Sequence, residues 1–321
     1  MNRKIRSLLL QPSAPITIIT VIIVMAALAL SESFRSAYNL NNVIIQMVAL
    51  GLVSLGQSYA ILVGDVDLCV GGIISIVTVV AATLMKDSAS SMVLVAALCL
   101  GIGVAIGMLN GVLATVIKID AMVTTFATNT ILMGVALAVM EAPGGFIPYE
   151  YMLLIEKTIA GVPVPLILLL ALMAVSWFIL DRTVLGFHIR AVGGGRHSAF
   201  TSGISIMKTK IIAHGFAGFF AALAGLFLTA RMGSGDALAG VPFSLDSMTA
   251  VVAGGTNFST GVGSVVGTTV AAFLISVLGN ILNHMSISTY WQYVLKGMLL
   301  VIAVSAAVVR SRIATKREKG I

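Results

Sequence analysis

The stretch Gly64-Asp65-Val66-Asp67-Leu68-Cys69-Val70-Gly71-Gly72 places two carboxylates between apolar runs of membrane-spanning length. An acid at the centre of a membrane helix costs about 2.5–3.5 kcal/mol on insertion scales. Asp65 and Asp67 therefore need water, a partner or a helix end. Irregular backbone at membrane depth is tolerated only where it lines a cavity or is buried in protein. Broken helices also place backbone dipoles beside a substrate path. Two readings stand: an interfacial turn with both acids in water, or part of a solute or ion path. A second break, Gly254-Gly255-Thr256-Asn257-Phe258-Ser259-Thr260-Gly261, carries hydroxyls and an amide but no charge. Those groups suit a polar, neutral solute. Thr124, Thr125, Thr128, Asn129 and Thr130 form a third polar group within one apolar run. Such side chains more often bond a neighbouring helix or their own backbone than a ligand.

The segment Asp181–Lys210 has a different character. Arg182, His188, Arg190, Arg196, His197, Lys208 and Lys210 stand there against one acid, Asp181. Short apolar residues alternate with the basic ones, and Gly193-Gly194-Gly195 is followed by Ser198 to Gly203. A glycine break, a short helix and a second glycine predict a compact knob on the membrane surface. The plainer reading is a basic anchor that only sets topology.

No catalytic constellation accompanies these features. The chain has no GxxxxGK[ST], no HExxH and no GxSxG. The triple glycine lacks the strand-then-GK context of a phosphate loop. No metal site is expected: His214 and His284 stand alone near span ends, and the 16 methionines show no metal-like cluster. Cys69 and Cys99 sit in apolar surroundings without a CxxC, as small hydrophobes. If ATP powers this protein, another subunit binds it.

The elements that must position these residues follow from composition. Of 321 residues, 59% are hydrophobic and 10% charged, with mean hydropathy +1.08. A soluble domain carries about 25% charged residues, so the chain cannot cover a globular surface. Apolar runs recur along its length, which predicts an all-α integral membrane protein. The alternating segments of a β-barrel are absent. The net charge of +7 does not imply nucleic acid, because the excess sits at both ends and in the central segment.

About ten spans are expected. They lie near Pro15–Leu30, Val43–Val63, Ile73–Met85, Met92–Ile117, Met122–Met140, Val162–Leu180, Ile211–Ala230, Ser247–Val252, Ser264–Leu282 and Tyr293–Val309. Arg3, Lys4 and Arg6 before an apolar run imitate a signal peptide, but the spans that follow favour an uncleaved first helix. Placing the N-terminus, the central loop and the basic tail Arg310–Lys319 in the cytoplasm requires an even number of spans on each side of that loop. The layout is one transmembrane domain, 1–321, with an arm 1–180, a cytoplasmic loop 181–210 and an arm 211–321. The acid-bearing loop Glu141–Lys157 then falls outside. Gly103-xxx-Gly107-xxx-Gly111 reads as a ridge for close helix packing. Gly71–Leu84 faintly echoes Gly261–Leu274, which would fit an internal repeat.

These residues resemble a known family. Gly56-Gln57 followed by Gly64-Asp65-Val66-Asp67-Leu68 is similar to the GQ…GGIDLSVG pattern of ribose-type ABC importer permeases, with Asp65 where glycine is usual and Cys69 where serine is. Thr183 to Gly186, Ala191 to Gly194 and Ser202-Gly203-Ile204 resemble the family's TxxGRxxxAxGxN…A…SGI loop, with Phe187, His188 and Gly195 departing from it. Ala250 to Thr256 and Gly261-Val-Gly263 resemble its AVVLGGTSLxGGxG segment. The resemblance implies a monosaccharide or polyol importer subunit in the bacterial inner membrane, working by alternating access. It implies two ATP-binding subunits that hold ATP and Mg, no cofactor in this chain, and a periplasmic or lipid-anchored solute-binding protein. It also implies a second permease chain, the same or related. Arg190, Gly193, Gly194, Arg196, His197, Ser202 and Gly203 would meet the ATPase. Gln57, Asp65, Asp67, Asn129 and Asn257 would line the solute path. A rival reading makes Asp65 and Asp67 the proton or sodium site of a secondary transporter.

Overall fold

The computed structural model describes residues 14–258, 260–288, 290–295, 297, 298, 301 and 305. Arg3, Lys4, Arg6, the tail Arg310–Lys319 and much of the expected span Tyr293–Val309 lie outside the described residues. The elements run α1 (Ala14–Leu30), α2 (Glu32–Arg35), α3 (Ala37–Leu62), α4 (Val70–Leu84), α5 (Ala89–Thr115), α6 (Ala121–Val139) and α7 (Tyr149–Glu156). A two-residue hairpin follows, β1 (Thr158–Ile159) antiparallel to β2 (Val162–Pro163). Then come α8 (Val164–Arg182), α9 (Val184–Gly194), α10 (Arg196–Thr201), α11 (Ile206–Met232), α12 (Phe243–Ala253) and α13 (Val265–His284).

Among the described residues, six helices are long and apolar enough to cross a membrane: α3, α5, α6, α8, α11 and α13. The chain is an all-α membrane protein. α1, α4 and α12 are apolar but shorter. The expected span boundaries shift by a few residues. α8 runs through Asp181 and Arg182, and α11 already includes Lys208 and Lys210, so the irregular centre of the basic segment is shorter than its charges suggest.

Helix α3 is the axis, with every residue from Met47 to Leu62 buried. Between helices in lipid, close packing replaces the hydrophobic drive, so small residues sit where backbones approach. The ridge on α5 does this against α11. A Cβ on Gly103 would lie 2.5 Å from the Ala222 Cβ, one on Gly107 would overlap the His214 carbonyl, and one on Gly111 would lie 2.7 Å from the Ile211 Cα. Gly101, on another side of α5, meets nothing within 4 Å.

Both sequence breaks interrupt the helical pattern: the first separates α3 from α4, and the second lies between α12 and α13. α3 ends in a Schellman turn, in which Asp65 N donates to Ala60 O and Gly64 N to Ile61 O, with Gly64 at φ +82°. That left-handed conformation is what glycine supplies at such a cap. Residues 65–69 then run back along α6, and α4 begins only beside Asn129, in the middle of that helix. After α11 the pattern is mirrored. Asp236 meets Thr78 late in α4, Gly240 meets Ser75 and Gly71 at its start, and α12 begins there. The two short helices thus start side by side and run in opposite directions. The echo of Gly71–Leu84 in Gly261–Leu274 has no such geometry: 261–264 are non-helical, and α13 is a long helix.

Residues 184–204 lie at one end of the bundle with the C-terminus of α3 and the 254–264 turn. The loop after α6 lies at the other end, where Gly144 pairs with Gly235 and Phe146 N donates to Ala82 O.

Candidate functional site

Thr183 opens α9 by accepting a hydrogen bond from Gly186 N at 3.3 Å. The helix lies so close to α3 that a Cβ on Gly193 would overlap the Leu62 carbonyl oxygen. Arg190 faces inward from α9. Its Nε donates to Leu180 O, its Nη1 to Gly263 O at 3.3 Å, and its Nη2 pairs with Asp181. Arg190 therefore ties α8, α9 and the 254–264 turn together. Gly195 breaks the helix, α10 follows, and Gly203 closes it with φ +80°.

What this unit presents outward is mixed. Gly194, Arg196, His197, Ser202 and Gly203 are exposed, whereas Gly193 is half-buried. Phe187 and Phe200 are 66% and 70% exposed, beside basic side chains. Exposed aromatics flanked by cations make a surface fit for a protein partner, since aromatic residues and arginine dominate binding energy at interfaces. The sequence reading noted Phe187 only as a departure from the family pattern and assigned neither phenylalanine to the contact. The signal was available: each is a large apolar residue in the most polar stretch of the chain.

Beneath this surface lies a buried charge cluster. Lys210 Nζ donates to both Asp65 oxygens, at 2.5 and 2.7 Å, and both side chains are buried. The exposed Arg196 reaches in to Asp65 Oδ1 at 3.4 Å. His214, fully buried, turns Nδ1 to Asp67 Oδ2 at 3.1 Å and Nε2 to Asp65 Oδ2 at 3.4 Å. Asp67 Oδ1 accepts from Cys69 N at 2.8 Å. His214 is therefore not a solitary side chain; it bridges the two acids. Taking ions out of water is expensive, and removing one member of a buried pair costs about 3–5 kcal/mol. Among the described residues, no His, Cys, Asp and Glu group is arranged to hold a metal ion.

A cavity of 1030 Å³ opens beside the cluster. Asp65, Arg196 and Lys210 line it with Lys118, Asp120 and Phe200. The other expected path residues are elsewhere. Asn129 Oδ1 accepts from Gly72 N at 2.7 Å, which caps the start of α4. Ser244 Oγ accepts from Gly71 N at 3.2 Å, and Thr125 Oγ1 accepts from Leu68 N at 3.1 Å. Gln57 is fully buried in α3, and its amide has no hydrogen-bond partner among the described residues. Asn257 is half-buried in the 254–264 turn. Of the five, Asp65 lines this cavity, and Asp65 and Asp67 share the buried cluster.

Comparison with known proteins covers nearly the whole chain. The family described as branched-chain amino acid transport system / permease component matches residues 39–304. The chain is 31% identical to the ribose import permease of Haemophilus influenzae over 95% of both chains. It is 32% identical to the ribose import permease of Bacillus subtilis over 88% of both. It is also 32% identical to the D-allose transport system permease of Escherichia coli, over 85% of this chain and 84% of that one. No solved structure matches.

Proposed function

The chain belongs to the family of permease components described for branched-chain amino acid transport systems, and on that premise we propose that it is the membrane-spanning subunit of an ABC importer for a monosaccharide or similar polyol. The sugar assignment rests on the relatives, which are similar along almost their full length and are ribose and allose permeases. The observation that carries the division of labour is the surface built by α9 and α10. It is braced from within by Arg190 and Gly193, and it presents Phe187, Arg196, His197 and Phe200 outward. We assign it to the ATP-binding subunits, with Gly194, Ser202 and Gly203 shaping the contact. ATP and Mg are held by those subunits, and this chain hydrolyses nothing.

In this reading the bundle crosses the bacterial inner membrane about ten times. The six long helices supply most crossings, and α1 another. Residues 64–84 and 233–253 each cross as a non-helical half followed by a short helix. The final crossing falls near Tyr293–Val309. The end that bears α9 and α10 faces the cytoplasm, as do both termini. α1 fits this, because Ile16 packs at the level of Leu50 while Ala27 packs with Val43, nearer the start of α3. The broken segments are the moving parts of alternating access, and Gln57, Asp67, Asn129 and Asn257 accompany the solute path. A solute-binding protein delivers to the opposite end, and a second permease chain completes the pathway.

A mild-detergent pull-down of the tagged chain from native membranes, read by mass spectrometry, tests this. Recovery of a P-loop ATPase in near-equal amount is the expected result. Recovery of the chain without one, together with ion-driven uptake in liposomes, would overturn it.

A further inference from the structure

We propose that Asp65 is a positioning residue that transmits movement of the α9–α10 surface to the start of α4. The proposal rests on the importer reading and identifies a link within that machinery. One route runs from surface to interior through named atoms. Arg196 is 62% exposed at its side chain yet reaches the nearly buried Asp65. Two residues on, Asp67 holds the amide of Cys69, the residue that precedes α4. Asn129 and Ser244 then hold the next amides, Gly72 and Gly71, so α4 and α12 are fastened where they begin. A parallel route runs through Lys210 and His214, both on α11, which face Asp65 directly.

The two cations on Asp65 are unequal. Lys210 makes a close two-oxygen contact in buried surroundings, and Arg196 makes one longer contact from an exposed side chain. The first fixes the carboxylate to α11. The second can be exchanged when a partner meets α10. The cavity of 1030 Å³ beside Asp65 gives α10 room to shift.

The test uses the permease with its ATPase in proteoliposomes, with Cys69→Ser and Cys99→Ser and a single reporter, Leu68→Cys, on a half-buried position. The measured quantity is the labelling rate by a membrane-impermeant maleimide before and after ATP with vanadate. Asp65→Asn is expected to keep the ATPase bound and to lose most of the ATP-driven change, at least fivefold. Asp65→Gly with Lys210→Met, which removes both charges, is expected to fold and to show the same loss. Asp65→Glu, which keeps a carboxylate within reach of both Lys210 and Arg196, should recover part of the response. An ATP-driven change equal to the unsubstituted chain in either charge-removed variant overturns the proposal. Absence of the ATPase from the unsubstituted complex overturns the importer reading instead.

Discussion

The carbonyl oxygen of Leu62, at the end of α3, fills the space that a side chain on Gly193 of α9 would occupy. The surface unit is therefore seated on the central helix itself. Gly193→Ala forces that seat open. Overpacking costs about 1–3 kcal/mol, so thermal unfolding in detergent should fall accordingly. Gly195→Ala is the control: its nearest neighbour outside the adjoining chain is Ser198 Oγ at 3.6 Å, and its backbone is extended. It should stay within about 0.5 kcal/mol of the unsubstituted protein.

Phe200→Asp separates partner contact from folding. The ring is largely exposed and braces nothing in the buried core. Stability should change by less than about 0.5 kcal/mol. Recovery of the ATPase in the pull-down should fall roughly tenfold, the loss expected when a central aromatic of an interface is removed. Unchanged recovery with Phe200→Asp and Phe187→Asp combined would remove this surface from the contact.

The α5–α11 seam makes a sharp comparison within one helix. Gly107→Leu drives a side chain into the His214 backbone, whereas Gly101→Leu enters open space. The first should abolish accumulation of folded protein in the membrane, and the second should leave it near normal. Fluorescence-detected size exclusion of tagged variants reads both.

Asn129→Leu removes the acceptor for the buried Gly72 amide at the start of α4. An unsatisfied buried donor costs about 1–3 kcal/mol. The unfolding midpoint should drop, and solute uptake should drop with it because α4 loses its fixed starting point. Full uptake at normal stability would mean that another group caps α4.

Much of this architecture is written locally. Apolar runs of spanning length make membrane helices because each must satisfy its own backbone bonds in lipid. The ridge Gly103, Gly107 and Gly111 announces a close seam because small residues at that spacing share a helix face. Gly64, with acids after it, marks a break that no continuous membrane helix would tolerate. The glycines flanking Arg196–Thr201 delimit a short surface helix for similar reasons.

Only the tertiary structure decided what meets what. Asp65 and Lys210 are 145 residues apart, and Asp67 and His214 are 147 apart. Neither spacing carries a period, so the acids read equally well as a solvent-facing turn or an ion site until α11 brings the cations to them. Arg190, one basic residue among several in sequence, turns inward because Leu180, Asp181 and the 261–263 backbone surround it. The sequence alone determined that this chain is a membrane bundle with an acid-bearing break after α3 and a basic central loop; the interrupted crossing at 233–253 came from the structure. Which of its charges face the outside and which hold the interior together depends on the approach of distant helices, and that is set by packing in three dimensions.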